Sequence, residues 1–119
     1  MDTYLSVTIP VSLLVALDRA ASEDGRTRSN MLRFVLSKPI VIDEAALPED
    51  WGEPAEHVGS FIPSHLMNRV DRTLEMLNKR NPDDIRWSRT DLVRYVLARH
   101  PAIEKYLESS DATGKDDME

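Results

Sequence analysis

Leu5-Ser6-Val7-Thr8-Ile9-Pro10, continued through Val11–Asp24 to Gly25-Arg26-Thr27-Arg28-Ser29-Asn30-Met31-Leu32-Arg33-Phe34-Val35-Leu36, is the stretch from which the rest of the chain can be read. Its first residues alternate apolar and polar and stop at a proline, the pattern of a half-buried strand over Tyr4–Ile9. Helical spacing then places Leu13, Leu14, Leu17, Ala20 and Ala21 on one stripe. Gly25 suits the end of that helix, and Thr27 suits the start of the next. Met31, Leu32, Val35 and Leu36 give this second helix its apolar face, and Pro39 stops it. The order is strand, helix, helix. A segment below ~40 residues rarely buries enough core alone, and a lone strand leaves both edges unpaired. Such a segment needs a second copy.

The chain contains one. Arg28-Ser29-Asn30-Met31-Leu32-Arg33-Phe34-Val35-Leu36 matches Arg89-Thr90-Asp91-Leu92-Val93-Arg94-Tyr95-Val96-Leu97, identical or chemically close throughout. Upstream, Ile9-Pro10 matches Ile62-Pro63, Leu13-Leu14 matches Leu66-Met67, and Leu17-Asp18-Arg19 matches Val70-Asp71-Arg72. The second copy carries 8 extra residues between its helices. Its strand is expected over His57–Ile62, antiparallel to the first, with Val58, Ser60 and Ile62 inward. Its first helix uses Leu66, Met67, Val70, Leu74 and Leu77, and Asn81-Pro82-Asp83-Asp84 ends it. Ser88-x-x-Asp91 reads as a capping box opening a helix with Leu92, Val93, Val96 and Leu97 as its core face. Ile103, Tyr106 and Leu107 predict further helical turns after Pro101.

With its alternating strand ending at Ile9-Pro10, its Leu13-Leu14-x-x-Leu17 helix and its Gly25-x-Thr27-x-Ser29 turn, the chain resembles the ribbon-helix-helix family of Arc- and MetJ-like repressors. The resemblance covers roughly residues 3–37 and 57–100. It implies a mainly α fold with a two-stranded antiparallel β-ribbon, both strands supplied by one chain as a tandem, single-chain pseudo-dimer. The expected organisation is a first copy over 1–38, an acidic linker over 39–56, a second copy over 57–108 with a longer inter-helix segment and a helical extension, and a disordered acidic tail over 109–119. In the linker, Pro39-Ile40-Val41-Ile42 and Trp51 are expected to lie against the body.

The net charge of the 119-residue chain is −6, which alone argues against a nucleic-acid partner. Its distribution reverses that reading. The first copy carries +1 and the second +2, whereas the linker carries −6 and the tail −3. The absence of Cys excludes disulfides and thiolate chemistry. His57, His65 and His100 lack metal-ligand spacing. No nucleophile–base pair, glycine-rich phosphate loop or carboxylate dyad emerges, so neither enzyme activity, a cofactor nor a metal is expected. The start has no basic, apolar leader pattern, and no apolar run reaches the ~18 residues of a membrane helix. The expectation is a soluble cytoplasmic protein associated with the nucleoid.

A two-stranded ribbon fits the B-DNA major groove, where base edges carry a distinguishable code. The outward strand residues are therefore the candidate base readers: Tyr4, Ser6 and Thr8 from one strand, His57, Gly59 and Phe61 from the other. The family resemblance implies the same positions. None of the six is Arg, Lys, Asn or Gln, and an ordinary solvated face is the alternative. The candidate phosphate ligands are Arg28 and Ser29, and Arg89 and Thr90, in the first turn of each copy's second helix, where free amides and the helix dipole favour an anion. Capping accounts for Thr27 and Ser88 but not for an Arg at the matched position. Arg33 and Arg94 are expected to pair with carboxylates, Phe34 and Tyr95 to pack, and His65 and His100 to lie on the surface at helix ends.

The expected function is sequence-specific binding of double-stranded DNA through the intramolecular ribbon, as a transcriptional repressor, with chains able to associate along DNA. Two alternatives stand beside it. One is a protein-interaction module on the same fold, an antitoxin or inhibitor using Phe61, the acidic linker or the tail. The other is a plasmid relaxosome or partition accessory protein.

Overall fold

The two strands, far apart in sequence, pair antiparallel along their whole length: β1 (Asp2–Pro10) against β2 (Ala55–Pro63). The computed structural model describes residues 1–107, so the tail expected over 109–119 lies outside the described residues. Between and after the strands come α1 (Val11–Glu23), α2 (Arg28–Leu36), α3 (Ser64–Arg80) and α4 (Arg89–Arg99), then α5 over residues 101–107. Among the described residues the chain is thus mainly helical, with one two-stranded antiparallel ribbon. Both strands are longer than their alternation predicts, beginning at Asp2 and Ala55 rather than Tyr4 and His57. Each strand's partner satisfies backbone groups that alternation alone cannot see, so pairing continues from Asp2↔Pro63 to Pro10↔Ala55.

The register has a centre. Ser6 faces Gly59, and these two residues are also the ones that the 53-residue offset between Ile9 and Ile62 makes equivalent. A second reciprocal feature lies at the helix starts. Both α1 and α3 follow a proline and have no side-chain cap. The free Val11 N–H instead donates to the Pro54 carbonyl at 3.0 Å, and the Ser64 N–H donates to the Met1 carbonyl at 2.9 Å. Pro54 and Met1 are themselves separated by the same offset. Each strand entry therefore satisfies an orphan amide at the far end of the other strand.

The inward faces of the ribbon feed one core. Leu5, Val7 and Ile9 join Val58 and Ile62 over the apolar stripes of α1 to α4. Ala20 and Ala21 keep α1 slim where the chain turns into α2. Gly25 ends α1 with φ +65°, a left-handed conformation that a side chain disfavours. Thr27 accepts the Asn30 N–H at 3.1 Å to open α2, and Ser88 with Asp91 forms the reciprocal capping box of α4. Ser60 is the buried exception on the inward face, and its hydroxyl has no partner.

The extra residues of the second copy go into a longer α3 and the loop before α4. That loop brings in Trp87, which is 3% exposed and meets the Tyr95 ring edge-on at 5.7 Å between centroids. Asn78 on α3 clamps it, accepting the Trp87 N–H at 2.7 Å and donating to its carbonyl at 3.1 Å. The linker follows the body as expected, with Ile40, Ile42, Ala46 and Trp51 half-buried against the core. Val41 does not, being 82% exposed. Glu53 accepts the Ser12 N–H at 2.7 Å, adding a carboxylate to the start of α1 where the helix dipole favours it. Among the described residues no helix is long and apolar enough to cross a membrane.

Candidate nucleic-acid interface

Alternation along the paired strands puts Tyr4, Ser6, Thr8, His57, Gly59 and Phe61 on the one ribbon face that the helices leave open, and all six are exposed. Across the ribbon Tyr4 faces Phe61, Ser6 faces Gly59 and Thr8 faces His57. The face carries no Lys or Arg of its own.

Its two ends differ. At one end the Tyr4 and Phe61 rings meet edge-on with centroids 5.1 Å apart, while remaining 49% and 57% exposed. Gly59 makes this arrangement possible. A Cβ added there would stand 1.7 Å from the Tyr4 Oη, so the phenol occupies the space that any other residue would fill. Gly59 thus contributes room rather than a contacting group. At the other end Ser6 Oγ is hydrogen-bonded to His57 Nε2. The Arg94 guanidinium donates to the Thr8 carbonyl at 2.8 Å and to Thr8 Oγ1 at 3.1 Å, and the Thr8 N–H donates to Thr90 Oγ1 at 3.4 Å. The first turn of α4 is thereby tied to the edge of β1. Because Arg94 occupies an acceptor site of the Thr8 hydroxyl, that hydroxyl keeps its proton free to donate outward.

Arg94 corrects one expectation: it binds the strand, not a carboxylate. Its counterpart Arg33 also lacks a carboxylate partner. It donates to Asn30 Oδ1 at 2.9 Å, and its Nε is buried with no partner. The Arg94 pairing was not visible in sequence because it depends on how α4 lies beside the ribbon, whereas Arg33 turns to a neighbour one turn back on its own helix.

Arg28 and Arg89 open α2 and α4, and neither is free. Arg28 forms a two-pronged bond to Asp18, both contacts at 2.8 Å, and Arg89 does the same to Asp71 at 2.9 and 2.8 Å. In both arginines the hydrogen bond to the carboxylate raises the pKa, against partial burial that lowers it. An Arg at the matched position of both copies therefore has a structural reason that the caps alone did not supply: the equally matched Asp18 and Asp71. The pairs are 43–44% exposed, and such pairs contribute about 0–1 kcal/mol. Ser29 and Thr90 sit half-buried in the same helical turns, with Thr90 already bonded to Thr8.

His65 is exposed, and His100 lies half-buried at the end of α4. It accepts the Ala102 N–H on Nδ1 at 3.2 Å and meets the Phe34 ring edge-on at 5.8 Å. Burial lowers its pKa, the Lys38 charge adds to this, and Asp24 opposes it. His100 also lines an apolar groove of about 440 Å³ between the last turns of α2 and α4, which shares none of the ten candidate residues. Among the described residues no group of three or more His, Asp or Glu side chains is arranged to hold a metal ion.

No model of a known protein family, no curated protein and no solved structure matches the chain.

Proposed function

We propose that the chain is a tandem ribbon-helix-helix protein, a single-chain pseudo-dimer that binds double-stranded DNA sequence-specifically with its β1–β2 ribbon in the major groove, and that it acts as a transcriptional repressor in the cytoplasm. The tandem organisation is supported by three sets of contacts that recur at matched positions: the Ser6–Gly59 centre of the register, the two strand-to-helix amide bonds, and the two Asp–Arg pairs. A covalent link makes ribbon pairing intramolecular, at effective concentrations of order millimolar.

The observation that carries the DNA reading is the join between ribbon and α4. Thr8 lies on the open face, and Thr90 and Arg94 from the first turns of α4 bond its backbone. A duplex edge meeting Thr8 would bring its phosphates toward that helix start, where amides and dipole attract anions. Arg89 would then exchange Asp71 for a phosphate, a swap between two anions that costs little at an exposed site.

Selection of bound duplexes from a random DNA pool tests the reading. A recovered consensus, bound with an affinity that falls as salt rises, supports it. A chain that enriches no sequence and does not bind bulk DNA at low salt is not this protein.

A second reading has its own observation. The exposed Tyr4–Phe61 pair is also what a protein partner would grip, as in an antitoxin or inhibitor. Loss of such a partner on Phe61→Ala, with DNA binding intact or absent throughout, would favour it.

A further inference from the structure

In a ribbon made by two identical chains, the two ends of the outward face are the same by symmetry. Here they are not. The offset that equates Ser6 with Gly59 also equates Tyr4 with His57 and Thr8 with Phe61. Antiparallel pairing therefore puts one residue of each kind at each end: Tyr4 with Phe61, and His57 with Thr8. Two residue differences between the copies have made one end aromatic and the other polar.

Resting on the DNA reading above, we propose that this ribbon recognises an asymmetric duplex site, taking pyrimidine 5-methyl groups against Tyr4 and Phe61 in one half and reading hydrogen-bond acceptors with Thr8 in the other. In the major groove the thymine methyl is the one apolar group that a base edge offers. Two half-exposed rings held edge-on at 5.1 Å present an apolar surface for it. The rings are held, not loose: the Tyr4 phenol lies across Gly59 toward the middle of the ribbon, in space cleared for it. Asp2, the one carboxylate among the outward strand residues, lies at the same end and repels phosphate, so base edges rather than backbone suit that surface. At the polar end Arg94 holds the Thr8 hydroxyl by its oxygen and leaves its proton for purine N7, guanine O6 or thymine O4. Ser6 and His57, bonded to each other, are already oriented beside it.

The test uses the full chain and the duplex recovered by selection, with thymine replaced by deoxyuridine in one half at a time. The expected consensus is non-palindromic. Removing methyls from one half weakens binding by about fourfold per contacted methyl, and removing them from the other half leaves it unchanged. Phe61→Ala and Tyr4→Ala, both at exposed positions, each reduce the methyl dependence by lowering affinity for the thymine duplex toward that for its deoxyuridine form. Gly59→Ala, which pushes the Tyr4 phenol aside, does the same with both rings present. A palindromic consensus, equal methyl dependence in both halves, none in either, or dependence that survives both aromatic substitutions overturns the proposal while leaving the DNA reading intact. Failure to bind any duplex overturns both.

Discussion

Arg33 and Arg94 occupy matched positions on α2 and α4, yet one binds only its own helix and the other reaches across to Thr8 on the ribbon. Five residues earlier, Arg28 and Arg89 behave alike, each gripping its own unit's aspartate with nearly the same geometry and exposure. The contrast separates two kinds of repeated residue. Those whose partners lie within their own copy keep the same contact in both, because the helices they join follow in the same order. Those whose side chains meet the other copy's strand differ, because the strand side chains they meet have diverged, whereas the backbone bonds from Val11 to Pro54 and from Ser64 to Met1 recur. Thr8 offers Arg94 a hydroxyl that Phe61, its equivalent, cannot offer Arg33. Divergence is therefore concentrated where one copy touches the other's strand, and that is also the open face.

The largest effect that tests this contrast lies in the second unit alone. Trp87 stands where the first copy has Arg26, and it is buried against Tyr95 and clamped by Asn78. Trp87→Ala should cost about 3–5 kcal/mol of stability, read as a shift in the urea midpoint. A loss of only a few tenths would mean that the longer inter-helix segment is an appendage, not part of the core. Next in size is a matched pair. Leu36 and Leu97 are both fully buried, so alanine at either should cost about 2–5 kcal/mol in a single cooperative transition. Two separate transitions, one sensitive to each substitution, would break the picture of one shared core.

A smaller change in stability accompanies a clear change in binding at the Asp–Arg pairs. Asp71→Asn should alter stability by less than about 1 kcal/mol, while releasing Arg89 for phosphate and raising affinity for duplexes in general. Arg89→Ala should weaken binding to all duplexes alike and reduce the slope of log affinity against log salt by about one. If Arg89→Ala alters only sequence preference, the phosphate assignment fails. The smallest effect belongs to His100, whose place in the first copy is taken by Pro39. Its folded pKa is lowered by burial from the ordinary 6.5, so the unfolded chain binds the proton more readily. Its contribution to stability is present in full above the ordinary value and is lost as pH falls toward the folded one. Urea midpoints compared between about pH 7.5 and about pH 5.5 should show a decline that is reduced in His100→Gln.

Much of this architecture was open to reading before any coordinates. Alternation in Leu5–Ile9, helical stripes in α1 and α4, the caps at Gly25, Thr27 and Ser88, and the repeat itself depend on neighbours within a few residues or on self-comparison. The elements they predict appear where expected, to within two residues at the strand starts. The six open-face positions follow from the same alternation, since period-two geometry decides which side chains share a face once one face is apolar. Trp87 was missed because it stands alone in the loop before α4, at a position where the first copy has Arg26. No periodicity marks it, and only its burial between α3 and α4 reveals it.

The chain by itself thus determined its elements and its inward and outward faces, because each is written in local spacing. Tertiary structure decided what those faces carry. It paired Tyr4 with Phe61 rather than with another residue of its own strand, took the space over Gly59 for a phenol, gave Arg94 to Thr8, and returned Arg28 and Arg89 to Asp18 and Asp71. The Asp–Arg pairs depend on how two consecutive helices pack; the other contacts join residues distant in sequence, and their geometry depends on ribbon register and on the angle at which each helix crosses the strands. Those quantities are set by the packing of the whole core, and no single stretch of sequence contains them.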